Sequence, residues 1–173
     1  MSEAIDLLIR EALSEDATNI LAMMDQVSRE TEFLVMDEGF TLSPDLLAHH
    51  IEAIYESSNN LLLVAYNGEQ LIGTASIRAS EEKRIAHIGE VGISILKDYW
   101  GMGLGSVLLE EIIIWAQESA SIRRLELTVQ TQNKRATHLY EKFGFQLEAT
   151  MKRGALGDDG RFLDVLLMSL MID

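Results

Sequence analysis

Residues 90–106 read Glu90-Val91-Gly92-Ile93-Ser94-Ile95-Leu96-Lys97-Asp98-Tyr99-Trp100-Gly101-Met102-Gly103-Leu104-Gly105-Ser106, an apolar stretch running into a glycine-rich turn. Upstream, Ile85 to Leu96 reads as one strand interrupted by Gly89 and Gly92, which predicts a bulge or a close backbone approach. Downstream, Leu104, Val107, Leu108, Ile112 and Trp115 fall on one helical stripe, and Leu125 to Gln130 then alternates as a strand does. The unit is strand, helix, strand, and it implies one right-handed parallel crossover around Gly101 to Ser119.

Working outward, Asn133 can cap a helix that turns Ala136, Leu139, Tyr140 and Phe143 to one face and ends at Gly144. Phe145 to Lys152 and Phe162 to Ile172 follow as a hairpin around Gly157-Asp158-Asp159-Gly160. On the other side, Leu61 to Tyr66 and Leu71 to Arg78 flank Asn67-Gly68, whose residue types supply the positive φ values of a tight turn. A short strand near Leu7 to Arg10 precedes two helices. One opens at Ser14-Glu15-Asp16 with Ala17, Ile20, Leu21, Met24 and Val27 at helical spacing; the other is capped by Ser43-Pro44 and runs to Ser57. No repeat or linker divides the chain. The expectation is an α/β fold, one domain over residues 1–173, with a mixed, mostly antiparallel sheet flanked by helices.

The 173 residues are 47% apolar and 24% charged, enough for a sizeable core. Acids outnumber bases 28 to 14, a formal charge of −14 that opposes a phosphate-tracking surface, so no nucleic-acid partner is expected. There is no cysteine, which removes disulfides and a thiolate nucleophile and fits a reducing, cytoplasmic setting. The N-terminus carries acids where a secretory signal carries bases, and no stretch reaches the roughly 20 apolar residues of a membrane span. A soluble, unprocessed protein without a membrane partner is expected.

Glycines at 101, 103 and 105 let the chain turn sharply and approach a ligand, and the open amides of a helix N-terminus attract phosphate oxygens. The same glycines also serve a connection that binds nothing. The dinucleotide fingerprint needs glycine where Ser106 stands, and the P-loop pattern beginning at Gly68 meets Thr74 instead of lysine, so both fail. No H-E-x-x-H, calcium loop or G-x-S-x-G elbow occurs; neither a metal nor a serine nucleophile is expected.

What remains resembles the GNAT superfamily of acyl-CoA-dependent N-acetyltransferases, whose phosphate loop reads Gln/Arg-x-x-Gly-x-Gly/Ala after an irregular strand. Gly103 and Gly105 match, while Trp100 stands where glutamine or arginine is usual. A second match is Asn133-Lys134-Arg135-Ala136-Thr137-His138-Leu139-Tyr140-Glu141-Lys142-Phe143-Gly144-Phe145, similar to the family's Asn-x-x-Ala-x-x-Leu-Tyr-x-Lys-x-Gly-Phe. The resemblance covers about Ile85 to Phe145. It implies splayed strands beside the loop and acetyl-CoA as cosubstrate. The pantetheine arm would pair with the backbone of Ile93, Ser94 and Ile95, and the phosphates would lie on Trp100, Gly101, Met102, Gly103, Leu104, Gly105 and Ser106, with a further contact from Asn133.

The resemblance also implies transfer of an acetyl group to a primary amine, on a small molecule or a protein, by direct attack in a ternary complex. Tyr140 matches the family's general acid, although its helical neighbours equally suit a core tyrosine. For the base, Glu90, Glu126 and His87 compete, each also readable as a solvated strand residue; Glu90 is preferred because some family members carry a working glutamate on that strand. A non-catalytic acyl-CoA sensor and a protein-interaction module on the same scaffold are the alternatives. The apolar strand Val165 to Ile172 suggests pairing across a homodimer.

Overall fold

The computed structural model describes residues 4–31 and 42–173; Met1 to Glu3, part of the acidic N-terminus noted above, lie outside them. The elements, in chain order, are β1 (Leu7–Glu11), a 3-10 turn (Ser14–Asp16), α1 (Ala17–Glu30), α2 (Pro44–Glu56), β2 (Leu61–Asn67), β3 (Gln70–Arg78) and β4 (Ile88–Ile95). A second 3-10 turn (Lys97–Tyr99), α3 (Leu104–Glu118), β5 (Arg124–Gln130), α4 (Lys134–Lys142), β6 (Gln146–Leu156) and β7 (Phe162–Met171) follow. The strands form one sheet in the order β1-β2-β3-β4-β5-β7-β6. Every neighbouring pair is antiparallel except β4 and β5, the pair joined through α3, as the mixed α/β reading requires.

Local chemistry accounts for most boundaries. The Ser43 hydroxyl accepts from the Leu46 amide and Pro44 occupies the first turn of α2, where its missing N–H costs nothing. The β2–β3 turn lies one residue later than its sequence suggests: Asn67 pairs with Gln70, and Gly68 adopts the positive φ of 59°. Asn67 stays in the strand because its side chain accepts from the Asp6 amide and donates to the Tyr99 hydroxyl.

β4 begins at Ile88 rather than Ile85, because residues 85–87 form a turn; His87 therefore precedes the strand, and its carbonyl accepts from the amides of Arg123 and Arg124. The β3–β4 register runs unbroken from Gly73 opposite Ile95 to Arg78 opposite Glu90, so the glycines make no bulge there. Gly89 serves a close approach instead. A Cβ on it would lie 2.5 Å from Ile77 Cγ2.

β6 extends to Leu156, past the expected end at Lys152, with register shifts at Leu147/Ala149 and Met151/Ala155. β7 inserts between β5 and β6, so both its edges are already paired and it cannot pair across a homodimer. The exposed strand on that side of the sheet is β6. In the core, Leu108, Leu109 and Ile112 of α3 are fully buried with Ile72, Ile77 and Leu125; each such side chain is worth about 1.5–3 kcal/mol.

One buried charge ties the N-terminal region to the sheet. Asp16, only 2% exposed, accepts from Arg10 Nη1 (2.7 Å) and Nη2 (2.9 Å), from the Leu13 amide (2.7 Å) and from the Tyr66 hydroxyl (2.6 Å). Burial alone would raise its pKa, but the hydrogen bonds from Arg10, Tyr66 and Leu13 outweigh that and hold the carboxyl below its usual range. A depressed folded-state pKa means stability that is complete above the unfolded value and lost as pH falls through the folded one. Asp16→Ala should therefore cost about 3 kcal/mol at neutral pH by leaving the Arg10 charge and the Tyr66 hydroxyl unmatched. Urea melts should show that the mutant's deficit shrinks below about pH 4, where the carboxyl of the unfolded chain takes up a proton that the folded state still resists; a deficit constant down to pH 2 would show that Asp16 contributes by packing alone.

Candidate active site

β4 and β5 pair only from Ile88 opposite Arg124 to Glu90 opposite Glu126. Beyond that point β4 keeps β3 and β5 keeps β7, so the two strands part and residues 91–95 turn one backbone edge to the gap. A cleft of about 450 Å³ opens there. Ile93, Ser94, Ile95, Trp100, Gly101, Gly103, Leu104, Gly105, Asn133 and Tyr140 all line it, which brings together most of the residues singled out from sequence. Glu90, Met102 and Ser106 are not among the lining residues; Met102 is exposed on the loop.

The loop has the geometry its glycines suggest. Gly101 and Gly103 have φ of 75° and 84°, where L side chains are strained, and Gly103 is the N-cap residue of α3 without a side-chain cap. The first-turn amides of α3 consequently have no partner within the helix, and no acid stands in that turn. Gly105 matters for packing instead. A Cβ there would sit 3.2 Å from Leu139 Cδ2, so its absence lets α4 close against α3. Trp100 anchors the loop, its indole Nε1 donating to the Ile95 carbonyl at 2.8 Å.

α4 forms the opposite wall. Asn133 Oδ1 accepts from the Ala136 amide at 3.2 Å and caps the helix. Tyr140 is 9% exposed and packs edge-on to Phe145 with centroids 5.7 Å apart. Its hydroxyl makes no hydrogen bond among the described residues, and burial pushes the phenol up to about 12.

The candidate bases differ in their surroundings. Glu126 accepts from Arg124 Nε at 3.0 Å, and the same guanidinium holds Glu148, whose carboxyl its hydrogen bonds depress to about 2. Glu90 is half exposed, with Arg78 Nη2 at 3.9 Å. His87 is exposed in the turn before β4.

Sequence reasoning missed several lining residues: Val27 and Thr31 from the end of α1, Tyr99, and Arg135. Val27 looked like an ordinary core position. Arg135 sat in plain view inside the second motif, two residues past Asn133, and its guanidinium lies over the Trp100 ring at 5.8 Å. Among the described residues no group of three or more His, Asp or Glu side chains is placed to hold a metal, and no helix is long and apolar enough to cross a membrane.

A glycine loop at a helix N-terminus, set against two strands that part, defines an α/β domain with an open cleft between its central strands. A model of the acetyltransferase (GNAT) family matches residues 21–145, and the chain belongs to that family. It is 44% identical to a GNAT-family acetyltransferase from Streptococcus pneumoniae, over 96% of this chain and 100% of that one, with a TM-score of 0.94. The L-amino acid N-acetyltransferase AaaT of Escherichia coli is 31% identical over 107 residues, a stretch covering 62% of this chain and 65% of AaaT, just under two thirds of the latter. The fold also matches yncA of Salmonella typhimurium, solved with acetyl-CoA, at 24% identity and a TM-score of 0.81 over 96% of this chain and 94% of that one.

The loop geometry gives a direct test. Gly103→Val forces a β-branched residue into a left-handed conformation and should weaken acetyl-CoA binding by about tenfold or more in calorimetry. Gly160→Val places the same strain, at φ of 81°, on the β6–β7 turn and should cost stability without changing that affinity. Equal affinities in the two variants would detach Gly103 from the binding site.

Proposed function

We propose that this GNAT acetyltransferase transfers the acetyl group of acetyl-CoA to a primary amine by direct attack in a ternary complex. The observation that carries the reading is Tyr140, a buried phenol with no hydrogen-bond partner among the described residues, on the wall of the cleft that Ile93 to Ile95 line. No described side chain or backbone group engages the hydroxyl, so it is available to a partner in the cleft, as a group that donates its proton during reaction must be. The family match and the acetyl-CoA bound to a protein of the same fold support the cosubstrate.

In this reading the free edge of β4 and the α3 amides orient the thioester and its phosphates. The amine nitrogen forms a bond to the acetyl carbon and the carbon–sulfur bond breaks. Tyr140 gives its proton to the departing sulfur, and Glu90, directly or through water, takes the proton that the amine must lose. The chain has no cysteine to carry the acetyl group, so one displacement accounts for the transfer. Glu90 is favoured over Glu126 because Arg124 engages the latter carboxylate, whereas Glu90 faces a cation only at 3.9 Å. The acceptor is a small-molecule or protein amine; the activity named for AaaT places free amino acids first in a screen.

Tyr140→Phe should lower kcat by about 100-fold, read as free-thiol release with a competent amine, while acetyl-CoA affinity changes little. Because burial keeps the phenol protonated up to about 12, Tyr140 should set no basic limb in the wild-type rate profile below about pH 11. Wild-type turnover in Tyr140→Phe would return the residue to a packing role.

Glu90→Gln should depress kcat/KM and shift the acidic limb of its pH profile, and Glu126→Gln should leave that limb in place. A larger loss in Glu126→Gln would move the base to β5.

A further inference from the structure

We propose that Arg135, standing on the Trp100 indole, supplies the guanidinium that grips a phosphate of the acyl-CoA substrate above the Gly101–Gly105 loop. The inference rests on the acyl-CoA reading of the cleft and adds a residue and a division of labour to it. Trp100 occupies the loop position where the resembling motif carries a glutamine or arginine, so the loop lacks that polar side chain of its own. A cation reaches the same place from α4. The Arg135 guanidinium lies 5.8 Å from the Trp100 ring centroid, a Cβ built on Gly101 would come within 3.9 Å of its Nη2, and both side chains line the cleft.

The charge pattern shows why this guanidinium is available to a ligand. Acidic residues outnumber basic ones two to one in this chain, 28 to 14, yet none of the ion pairs among the described residues involves Arg135. The platform under it is fixed, because Trp100 Nε1 donates to the Ile95 carbonyl and cannot swing away without losing that bond. A guanidinium placed over an indole can keep N–H groups free for the fork that matches phosphate oxygens, and holding it there reduces the entropy lost on binding. Beside the open amides of α3, it completes an anion site from a helix end and a side chain.

The test compares substrates that differ only in their phosphates. In wild type and Arg135→Met, kcat/KM is measured with acetyl-CoA, acetyl-3′-dephospho-CoA and acetyl-pantetheine, and Kd for CoA by calorimetry. The proposal expects the preference for acetyl-CoA over acetyl-pantetheine, which has no phosphate, to fall by about tenfold in Arg135→Met. If the loss persists with the dephospho compound, the contact is to the pyrophosphate; if it disappears there, the contact is to the 3′-phosphate. Trp100→Ala should reproduce much of the loss and add little to Arg135→Met, and Trp100→Arg should recover affinity in the Arg135→Met background. An unchanged preference in a folded Arg135→Met protein, or equal losses with and without phosphates, would overturn the assignment. Failure of the wild type to bind CoA at all would instead bring down the acyl-CoA reading beneath it.

Discussion

Backbone amides and carbonyls removed from water must find partners, and β4 and β5 stop partnering each other after Glu90 and Glu126. The rest of the site follows from that interruption. A parallel pair that continued to zip would leave no room between the strands. Here α3 starts at the mouth of the gap with its own first-turn amides open, and the Trp100 indole occupies the Ile95 carbonyl. The absence of a side chain at Gly105 lets Leu139 of α4 approach α3, and Tyr140 lines the cleft from the same helix. The cleft is thus a region of sheet left unfinished, lined by the start of α3 and by α4.

Much of this was legible in the sequence because the determinants are local. Glycines that need positive φ, a Ser-Pro helix start and an asparagine cap all act within four residues, and the structure places each of them as its residue type dictates. What escaped depends on long-range pairing. Asp16 reads as a first-turn acid, yet it is buried by Arg10 and Tyr66, the latter fifty residues away. Asn67 reads as a turn residue, yet Asp6 and Tyr99 recruit its side chain and move the turn by one position. The order of the last strands had no local signature, so β7 looked like an available edge. Arg135 was visible as a residue, but the ring beneath it belongs to a loop thirty-five positions earlier.

The two ends of the cleft region carry different electrostatics. Where the strands part, Glu90 and Glu126 are the last partners in register, with Arg78 and Arg124 as their nearest cations, and Arg124 extends the cluster to Glu148 on β6. At the other end stand the helix amides and Arg135. A strongly acidic chain can therefore keep its carboxylates where the strands part and a cation beside the glycine loop, and net charge alone would not have revealed that separation.

The position of β7 bears on how the molecule assembles. It follows every other strand in the chain, yet it lies inside the sheet, and without it β5 has no neighbour on that side and β6 has none at all. During synthesis the hairpins from β1 to β4 can form from near neighbours, while β5, the strand that parts from β4, waits for residues 162–171 to leave the ribosome before it gains its second neighbour. The sheet beside the cleft is therefore complete only once the β7 segment is in place. A nascent chain already long enough to contain both glycine loop and tyrosine still lacks the strand that pairs β5 and β6 into the sheet.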